Sequence, residues 1–108
     1  MDNDLTFIEH ILESIDKIAK FSKGITKEEF FKDELKQYAI VRGIEIIGEA
    51  VKNLSNEFRE EHKEIECAKI AGTRDVIIHR YFGLDLNLIW KIIQEDIPAL
   101  KSKLKKLI

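Results

Sequence analysis

Residues 33–54 of this chain read DELKQYAIVRGIEIIGEAVKNL, and this stretch decides the fold. Its apolar residues recur every three or four positions, which predicts a helix. The apolar belt is too wide for a helix that packs on one side only, so we expect a central helix or one that lies in an interface. Gly43 and Gly48 each cost a helix about 1 kcal/mol relative to alanine. That cost favours the close approach of another helix at both positions.

The segments before this helix also carry helical signals. Residues 5–19 repeat apolar side chains at intervals of three and four, which predicts a helix that buries one face. Thr26 followed by Glu29 has the form of a capping box, in which two side chains satisfy backbone donors at a helix start. We therefore expect a short helix over residues 27–31.

The second half of the chain predicts two more helices. Residues 65–78 form the first, and Gly83 is placed to terminate it in a left-handed conformation. In residues 86–107 the apolar side chains recur every three or four positions, the spacing of a helix that packs along one face. Pro98 behind Asp96 suggests either a kink or a freshly capped helix start.

The connections complete the fold prediction. Residues 55–64 are polar and lack an apolar period, so we expect a solvated connection there. The chain has no alternating strand pattern, no internal repeat and no linker rich in Pro, Gly or Ser. The sequence predicts an all-α, antiparallel bundle of four to five helices, as a single domain over residues 1–108.

Composition excludes several classes of protein. The 108 residues have the length of one domain, and 44% hydrophobic with 35% charged residues is unlike disordered chains. No apolar run reaches the 18 or so residues of a spanning helix and no signal peptide opens the sequence, so we expect a cytoplasmic protein without a membrane partner. A net charge of −2 argues against broad coating of nucleic acid. Any nucleic-acid contact should be local, in a cleft.

Metal-ligating residues are few and badly spaced. Cys67 is the only cysteine, which we interpret as a small core residue. The three histidines, His10, His62 and His79, do not form a metal-binding spacing such as two histidines four apart with an intervening Glu. We expect no metal site and no cofactor.

One stretch places polar side chains on both sides of a short apolar run, residues 76–78. Residues 72–85 read GTRDVIIHRYFGLD, and the polar candidates in it are Arg74, Asp75, His79, Arg80 and Tyr81. Asp75 and His79 are neighbours on a helical face, so the carboxylate could fix the imidazole's tautomer. Arg74 and His79 are separated by roughly 140° on an ideal helix, so they meet only if the arginine curls back or the helix ends near His79. Spacing alone leaves a structural role open.

The extended motif resembles that of a known family. Arg74, His79 and Tyr81 match the Arg-x4-His-x-Tyr pattern of HepT-like proteins, a branch of the HEPN superfamily. The block RGIEIIGEA at residues 42–50 is similar to the central helix of that family. YFGLD at residues 81–85, followed by Leu88-Ile89-Trp90, resembles its downstream turn and last helix. The resemblance covers nearly the whole chain.

The resemblance implies a function and roles for the motif. HepT-like proteins are helical bundles that dimerise, and several are toxins that cleave RNA without a metal, each neutralised by an MntA-like nucleotidyltransferase. By this resemblance, His79 is the general acid or base and Arg74 holds the phosphate. The spacing of Asp75 from His79 adds the hypothesis that Asp75 orients the pair. Tyr81 matches the tyrosine to which the antitoxin transfers AMP. The family commonly has Asn where this chain has Asp75.

Two other groups of residues leave alternatives open. Arg42, Glu45 and Glu49 form a polar stripe on the central helix, which suits either structural ion pairing or, together with Arg80, the lining of a cleft. Three aromatic side chains fit core packing better than stacking on bases, namely Phe58, Phe82 and Trp90.

The preferred interpretation is therefore a homodimeric toxin of the endoribonuclease class, acting on tRNA or mRNA and silenced by a nucleotidyltransferase through Tyr81. The first alternative is a non-catalytic nucleotide-binding or adaptor partner of such a nucleotidyltransferase. The second is a plain helical dimerisation module.

Overall fold

The computed structural model describes residues 2–79 and 83–108, apart from the side chains of Asp2 and His79. Within these residues the chain is all-α, as predicted, with one very short strand pair. The first helices are α1 (Asp2–Ser22), α2 (Lys27–Lys32), α3 (Glu34–Lys52) and α4 (Asn56–Glu61). They are followed by α5 (Cys67–Ile77), β1 (Ile78–His79), β2 (Gly83–Leu84), α6 (Leu86–Lys91), a π-helical turn (Ile92–Asp96) and α7 (Ile97–Lys105).

Helix α3 lies at the centre of the bundle, as its wide apolar belt predicted. Asp4 near the start of α1 hydrogen-bonds to Ser55 just beyond the end of α3, so α1 runs antiparallel to α3. Helix α5 is antiparallel as well, because Gly48 faces the backbone of Ala71 while Glu45, one turn earlier, contacts Arg74. The buried core is made almost entirely of Ile, Leu, Val and Phe side chains from all these helices.

The predicted close approach at the two glycines is confirmed. A methyl group placed on Gly43 would lie 2.8 Å from Cγ1 of Ile18 on α1, which is too close for a real contact. At Gly48 it would lie 3.5 Å from the carbonyl oxygen of Ala71 on α5, an ordinary van der Waals distance. The absence of a side chain therefore lets α1 pack tightly on one side of α3.

The predicted capping box is present at α2. The backbone N–H of Glu29 donates to Oγ1 of Thr26 at 3.1 Å, and the backbone N–H of Thr26 donates to Oε1 of Glu29 at 2.9 Å. The helix is then fixed to α3 by Gln37, a buried amide whose Nε2 donates to the carbonyl oxygen of Phe30 at 3.0 Å. Phe30 itself is fully buried.

The prediction of a solvated connection over residues 55–64 is wrong in part, because α4 forms there. Ser55 caps the helix, and its Oγ accepts from the N–H of Phe58 at 3.0 Å. Phe58 is the buried apolar side chain that anchors this single amphipathic turn in the core. One anchor and one cap are enough for a helix of six residues, although they leave no apolar period to detect.

The predicted termination at Gly83 is also wrong. Helix α5 ends at Ile77, and the chain turns into an antiparallel pair in which Ile78 faces Leu84 and His79 faces Gly83. Gly83 does have a positive φ of 81°, but it stands in β2 and not at the helix end. The N–H of Asp85 closes this region by donating to the carbonyl oxygen of Ile77 at 2.7 Å.

The last predicted helix is interrupted near Pro98 by a π-helical turn. Within it, the N–H of Ile97 donates to the carbonyl oxygen of Ile92, five residues back. Pro98 lies in the first turn of α7 and directly follows the π turn, so its missing N–H falls where the regular hydrogen bonds of the α-helix are already interrupted. Asp96 makes no side-chain cap, so the predicted fresh capped start is not found. Among the described residues, no helix is both long and apolar enough to cross a membrane.

The carboxylate of Asp4 makes a pH-dependent contribution to stability. Oδ2 accepts from Oγ of Ser55 at 2.7 Å and Oδ1 from the backbone N–H of Ser55 at 2.8 Å, which lowers the pKa of Asp4. Asp4→Asn should lower the free energy of unfolding at pH 7 by about 1–2 kcal/mol, the charged share of these bonds. Because the folded pKa is lowered, this difference should be complete above the ordinary value of about 3.9 and disappear as the pH falls through the folded value.

Urea unfolding of both proteins between pH 2 and pH 7 measures this difference. Asp16→Asn is the matched control, since Asp16 lies on the same helix and makes an exposed ion pair with Lys101 at 3.4 Å. Such a pair contributes at most about 1 kcal/mol. A penalty for Asp4→Asn that does not change with pH would contradict the assignment.

The two glycines of α3 should respond to alanine with opposite signs. Gly48→Ala should raise the free energy of unfolding by up to about 1 kcal/mol, because it gains helix propensity without a clash. Gly43→Ala gains the same propensity but overlaps Ile18, and overpacking of a core costs about 1–3 kcal/mol. We expect it to be destabilised, as measured by urea unfolding of both variants beside the parent. Equal stabilisation of both would show that Ile18 moves aside freely.

Candidate active site

Arg74 is the best-defined polar side chain of the predicted motif. It lies in the last turn of α5, and its Nε donates to Oε2 of Glu45 on α3 at 2.7 Å. Nη1 lies 3.9 Å from Oδ1 of Asp75, too far for a hydrogen bond. The hydrogen bond with Glu45, and then the negative charge of that carboxylate, raise the pKa of Arg74. The arginine is therefore a permanent cation with a fixed partner.

The pairing with Glu45 uses only one edge of the guanidinium. The group has five N–H donors in a rigid plane, and Nε–H is the one that Glu45 accepts. No described residue accepts a hydrogen bond from the four donors on the two Nη atoms, and the Arg74 side chain is 58% exposed. A planar pair of donors of this kind matches two oxygens of a phosphate.

Arg74 opens into a groove of about 350 Å³, which we call the Arg74 groove. Helix α3 forms its floor, while α1 and α5 form its two walls. Its chemically relevant members are Phe7 and His10 from α1, Arg42, Glu45 and Glu49 from α3, and Arg74 from α5. The groove thus combines two guanidinium groups, two carboxylates and one imidazole.

The polar stripe of α3 takes part in ion pairing and also lines the Arg74 groove. Glu45 is an ion-pair partner, since it holds Arg74. Arg42 and Glu49 line the same groove. Asp75 does not line this groove. Its side chain is 83% exposed, and its described contact is the 3.9 Å ion pair between Oδ1 and Nη1 of Arg74.

The position of His79 relative to Arg74 depends on where α5 ends. The helix stops at Ile77, so the angular separation expected for a continuous helix does not apply to His79. Its backbone lies in β1 opposite Gly83. The His79 side chain lies outside the described residues, as do Arg80, Tyr81 and Phe82, which were predicted as cleft lining, modification site and core.

The sequence interpretation missed His10 as a member of the groove. His10 belongs to the exposed face of α1, and nothing in its spacing marks it. It enters the groove because α1 packs antiparallel on α3, a contact between residues far apart in the chain. Its ring stands edge-on to Phe7, with centroids 6.2 Å apart and an interplanar angle of 83°.

The remaining candidates are structural. Phe58 and Cys67 are buried in the core, as predicted, and burial raises the pKa of the Cys67 thiol. Trp90 is half-buried and packs on Phe30 with ring centroids 5.7 Å apart. Among the described side chains, no three His, Cys, Asp or Glu residues come close enough together to hold a metal ion.

A second cavity, of about 170 Å³, lies between α3, α5 and the C-terminal helices. It shares no residue with the Arg74 groove, and its interior is lined by aliphatic side chains such as Ile47, Ile70 and Ile92. Its polar lining includes Lys69, Thr73 and Lys103, but it holds no residue of the Arg-x4-His-x-Tyr motif. The Arg74 groove, which holds Arg74 of that motif, is therefore the candidate active site.

Comparison with known proteins identifies relatives along almost the whole chain. The sequence model of the family described as "Ribonuclease HepT-like" matches residues 11–107. A "Probable ribonuclease HepT" from Thermococcus cleftensis is 46% identical over 101 residues, which are 94% of this chain and 92% of that protein. A "Putative RNase" from Caldanaerobacter subterraneus subsp. tengcongensis is 45% identical over 102 residues, with coverage of 94% and 91%.

A further relative is longer than this chain. A Methanocaldococcus jannaschii protein named "Gamma-glutamylcyclotransferase and putative RNase" is 46% identical over 101 residues, and the chain spans only 46% of its length. No solved structure gave a significant match. The resemblance inferred from the Arg-x4-His-x-Tyr motif is confirmed, and the family match over residues 11–107 shows that this chain belongs to the HepT-like ribonuclease family.

Proposed function

We propose that this protein is a metal-independent endoribonuclease whose active site is the Arg74 groove. The observation that carries the proposal is the pairing of Arg74 with Glu45 at 2.7 Å, which orients the guanidinium through its Nε edge, while no described residue is hydrogen-bonded to its Nη groups. The names of the relatives support the same reaction class. In this reaction the ribose 2′-hydroxyl attacks the adjacent phosphate, and the P–O5′ bond breaks to leave a 2′,3′-cyclic phosphate and a 5′-hydroxyl.

Arg74 would stabilise the transition state of this attack. The phosphate gains negative charge on its non-bridging oxygens as the 2′-oxygen approaches, and fixed donors aimed at developing charge are a large source of rate enhancement. Glu45 would act as a positioning residue, because a charged hydrogen bond at Nε turns both Nη groups in one direction. Arg42, on the same groove, would hold a neighbouring phosphate.

His79 would move a proton at the reacting oxygens. Asp75 precedes it by four residues and Arg80 follows it directly. A single imidazole cannot take the proton of the attacking hydroxyl and supply that of the leaving oxygen in the same step. A homodimer could bring two motifs to one cleft. Exposed apolar side chains support such an interface, since Leu35 and Tyr38 on α3 and Val76 on α5 are 79%, 65% and 56% exposed.

We further propose that the protein is a cytoplasmic toxin controlled by an MntA-like nucleotidyltransferase. The partner would transfer AMP from ATP to the phenolic oxygen of Tyr81, with pyrophosphate as the leaving group. Tyr81 follows His79 by two residues. A nucleotide attached there would add bulk and negative charge to the Arg-x4-His-x-Tyr motif, and its phosphate would compete with the RNA phosphate for a cation.

Cleavage of mixed tRNA and mRNA by the purified protein in excess EDTA tests the nuclease proposal. Arg74→Ala and His79→Ala should each reduce the rate by about 10²–10³-fold, the usual effect of losing one transition-state contact. Glu45→Gln should cost less, about 10-fold, because the cation remains while its orientation loosens. The matched control is Lys101→Ala, which removes a positive charge from an exposed pair with Asp16, outside the groove.

Two results would contradict this assignment. Undiminished cleavage by Arg74→Ala would remove the Arg74 groove from the chemistry. No cleavage by the folded, unmodified parent protein would favour the alternative of a non-catalytic partner of a nucleotidyltransferase.

The chain contains two tyrosines, which allows a matched test of modification. Incubation with the cognate nucleotidyltransferase and ATP should raise the mass of the parent by AMP and abolish its cleavage of RNA. Tyr81→Phe should gain no AMP. Tyr38→Phe, changed at an exposed tyrosine of α3, should be modified like the parent. Intact-protein mass spectrometry checks both, and AMP transfer to Tyr81→Phe would refute this site.

A further inference from the structure

The Arg74 groove continues past Arg74 along the C-terminal half of α3. Glu49 and Asn53 line it there, four and eight residues after Glu45, which is about 6 and 12 Å along the helix axis. The first turns of α1 form the wall beside them, because α1 is antiparallel to α3. We call this part of the groove the Glu49 end, and its lining residues are Phe7, His10, Glu49 and Asn53.

The polar groups of the Glu49 end offer a ligand both acceptors and a donor. The Glu49 side chain is exposed, and its carboxylate makes no hydrogen bond or ion pair with another described residue. Nδ2 of Asn53 donates one of its two hydrogens to the backbone carbonyl oxygen of Glu49 at 2.9 Å. That bond holds the amide beside the carboxylate on one face of α3, and the second hydrogen is left for a ligand.

The wall formed by α1 adds aromatic surface. His10 is exposed and Phe7 is half-buried, and their rings are nearly perpendicular, with centroids 6.2 Å apart. Bases of single-stranded RNA are commonly stacked on rings of this kind, those of histidine included. The carboxylate of Glu49 repels a second phosphate at this place. The Glu49 end is therefore suited to a neutral, planar group such as a nucleobase.

Among the four bases of RNA, guanine matches these polar groups. Its Watson–Crick edge carries two adjacent N–H donors, at N1 and N2, followed by the acceptor O6. The two oxygens of Glu49 can accept from both N–H groups, and the remaining N–H of Asn53 can donate to O6. Adenine, cytosine and uracil lack two adjacent donors on this edge, so each would place an acceptor against a carboxylate oxygen.

We propose that the Glu49 end of the groove binds a guanine base next to the phosphate that Arg74 holds. This inference rests on the ribonuclease function proposed above, since Arg74 must hold an RNA phosphate. The offset of one helical turn between Glu45 and Glu49 leaves room for the ribose that joins a phosphate to its base. The pKa of Arg74 is raised chiefly by Glu45 and more weakly by the charges of Asp75 and Glu49. Glu49 is thus close to the phosphate site as well.

A uridine oligonucleotide with a single guanine tests the base preference within one molecule. The parent protein should cut a bond that flanks the guanine about 5- to 100-fold faster than the bonds between uridines, the usual discrimination by a bidentate contact. Inosine in place of guanine lacks the N2 amino group, and should reduce the rate at that bond by about 10-fold, the effect of losing a hydrogen bond to a charged group.

Two variants separate recognition of the base edge from stacking. Glu49→Gln should cut the guanine and inosine oligonucleotides at nearly equal rates, because a carboxamide has one acceptor oxygen in place of two. His10→Ala should bind both about 5- to 100-fold more weakly, the usual effect of losing a stacking partner, and keep their ratio. The matched control is Glu60→Gln, which changes an exposed glutamate paired with Lys63 outside the groove and should keep the parent ratio.

Equal cutting by the parent at all bonds would overturn the guanine assignment and leave the ribonuclease function in place. A guanine preference that persists in Glu49→Gln would overturn the role of Glu49. Fluorescence anisotropy with 2′-O-methyl oligonucleotides, which cannot be cut, measures the same ratio without cleavage. A parent that cuts no RNA but binds guanine more tightly than inosine would overturn the ribonuclease function and support the guanine site alone. Circular dichroism of each variant establishes that it is folded.

Discussion

The close approach of α1 to α3 at Gly43 is the contact on which the rest of the molecule depends. Without a Cβ at this position, Ile18 can occupy the surface of the central helix directly. Helix α5 packs on another side of α3, near Gly48. Helices α1 and α5 then lie on either side of the polar stripe of α3 and form the walls of the Arg74 groove. The groove is thus a by-product of a helix that is buried on two sides and polar on a third.

The charges inside this groove are compatible with the proposed ribonuclease function in an acidic protein. Arg42 and Arg74 are opposed by Glu45 and Glu49, so the groove is nearly neutral as a whole. One carboxylate is satisfied by the Nε edge of Arg74, and positive charge is left where the Nη groups point. Under the proposed function, attraction would therefore be confined to one or two phosphates. A net charge of −2 for the whole chain is consistent with such local recognition.

Much of the fold could be predicted from the sequence, because the signals involved are local. The apolar period of α3 and the capping box at Thr26 are properties of consecutive residues, and both are found in the structure. Helix α4 was missed since one cap and one buried Phe58 create no period. The strand pair at Ile78 and Leu84 was missed because two residues a side are too few to alternate. The pairing of Arg74 with Glu45 and the presence of His10 depend on tertiary contacts, which a single sequence does not display.

The π-helical turn at Ile92–Asp96 has a consequence for how the C-terminal helix would tolerate a change in length. A π turn holds about one residue more than an α turn. The extra residue is absorbed locally, so Ile89 before the turn and Leu100 and Leu104 after it all remain in the core. Deletion of one residue at this point would leave a regular α-helix with the same side chains facing inward. Deletion elsewhere in the C-terminal helix would rotate its apolar face out of the bundle by about 100°.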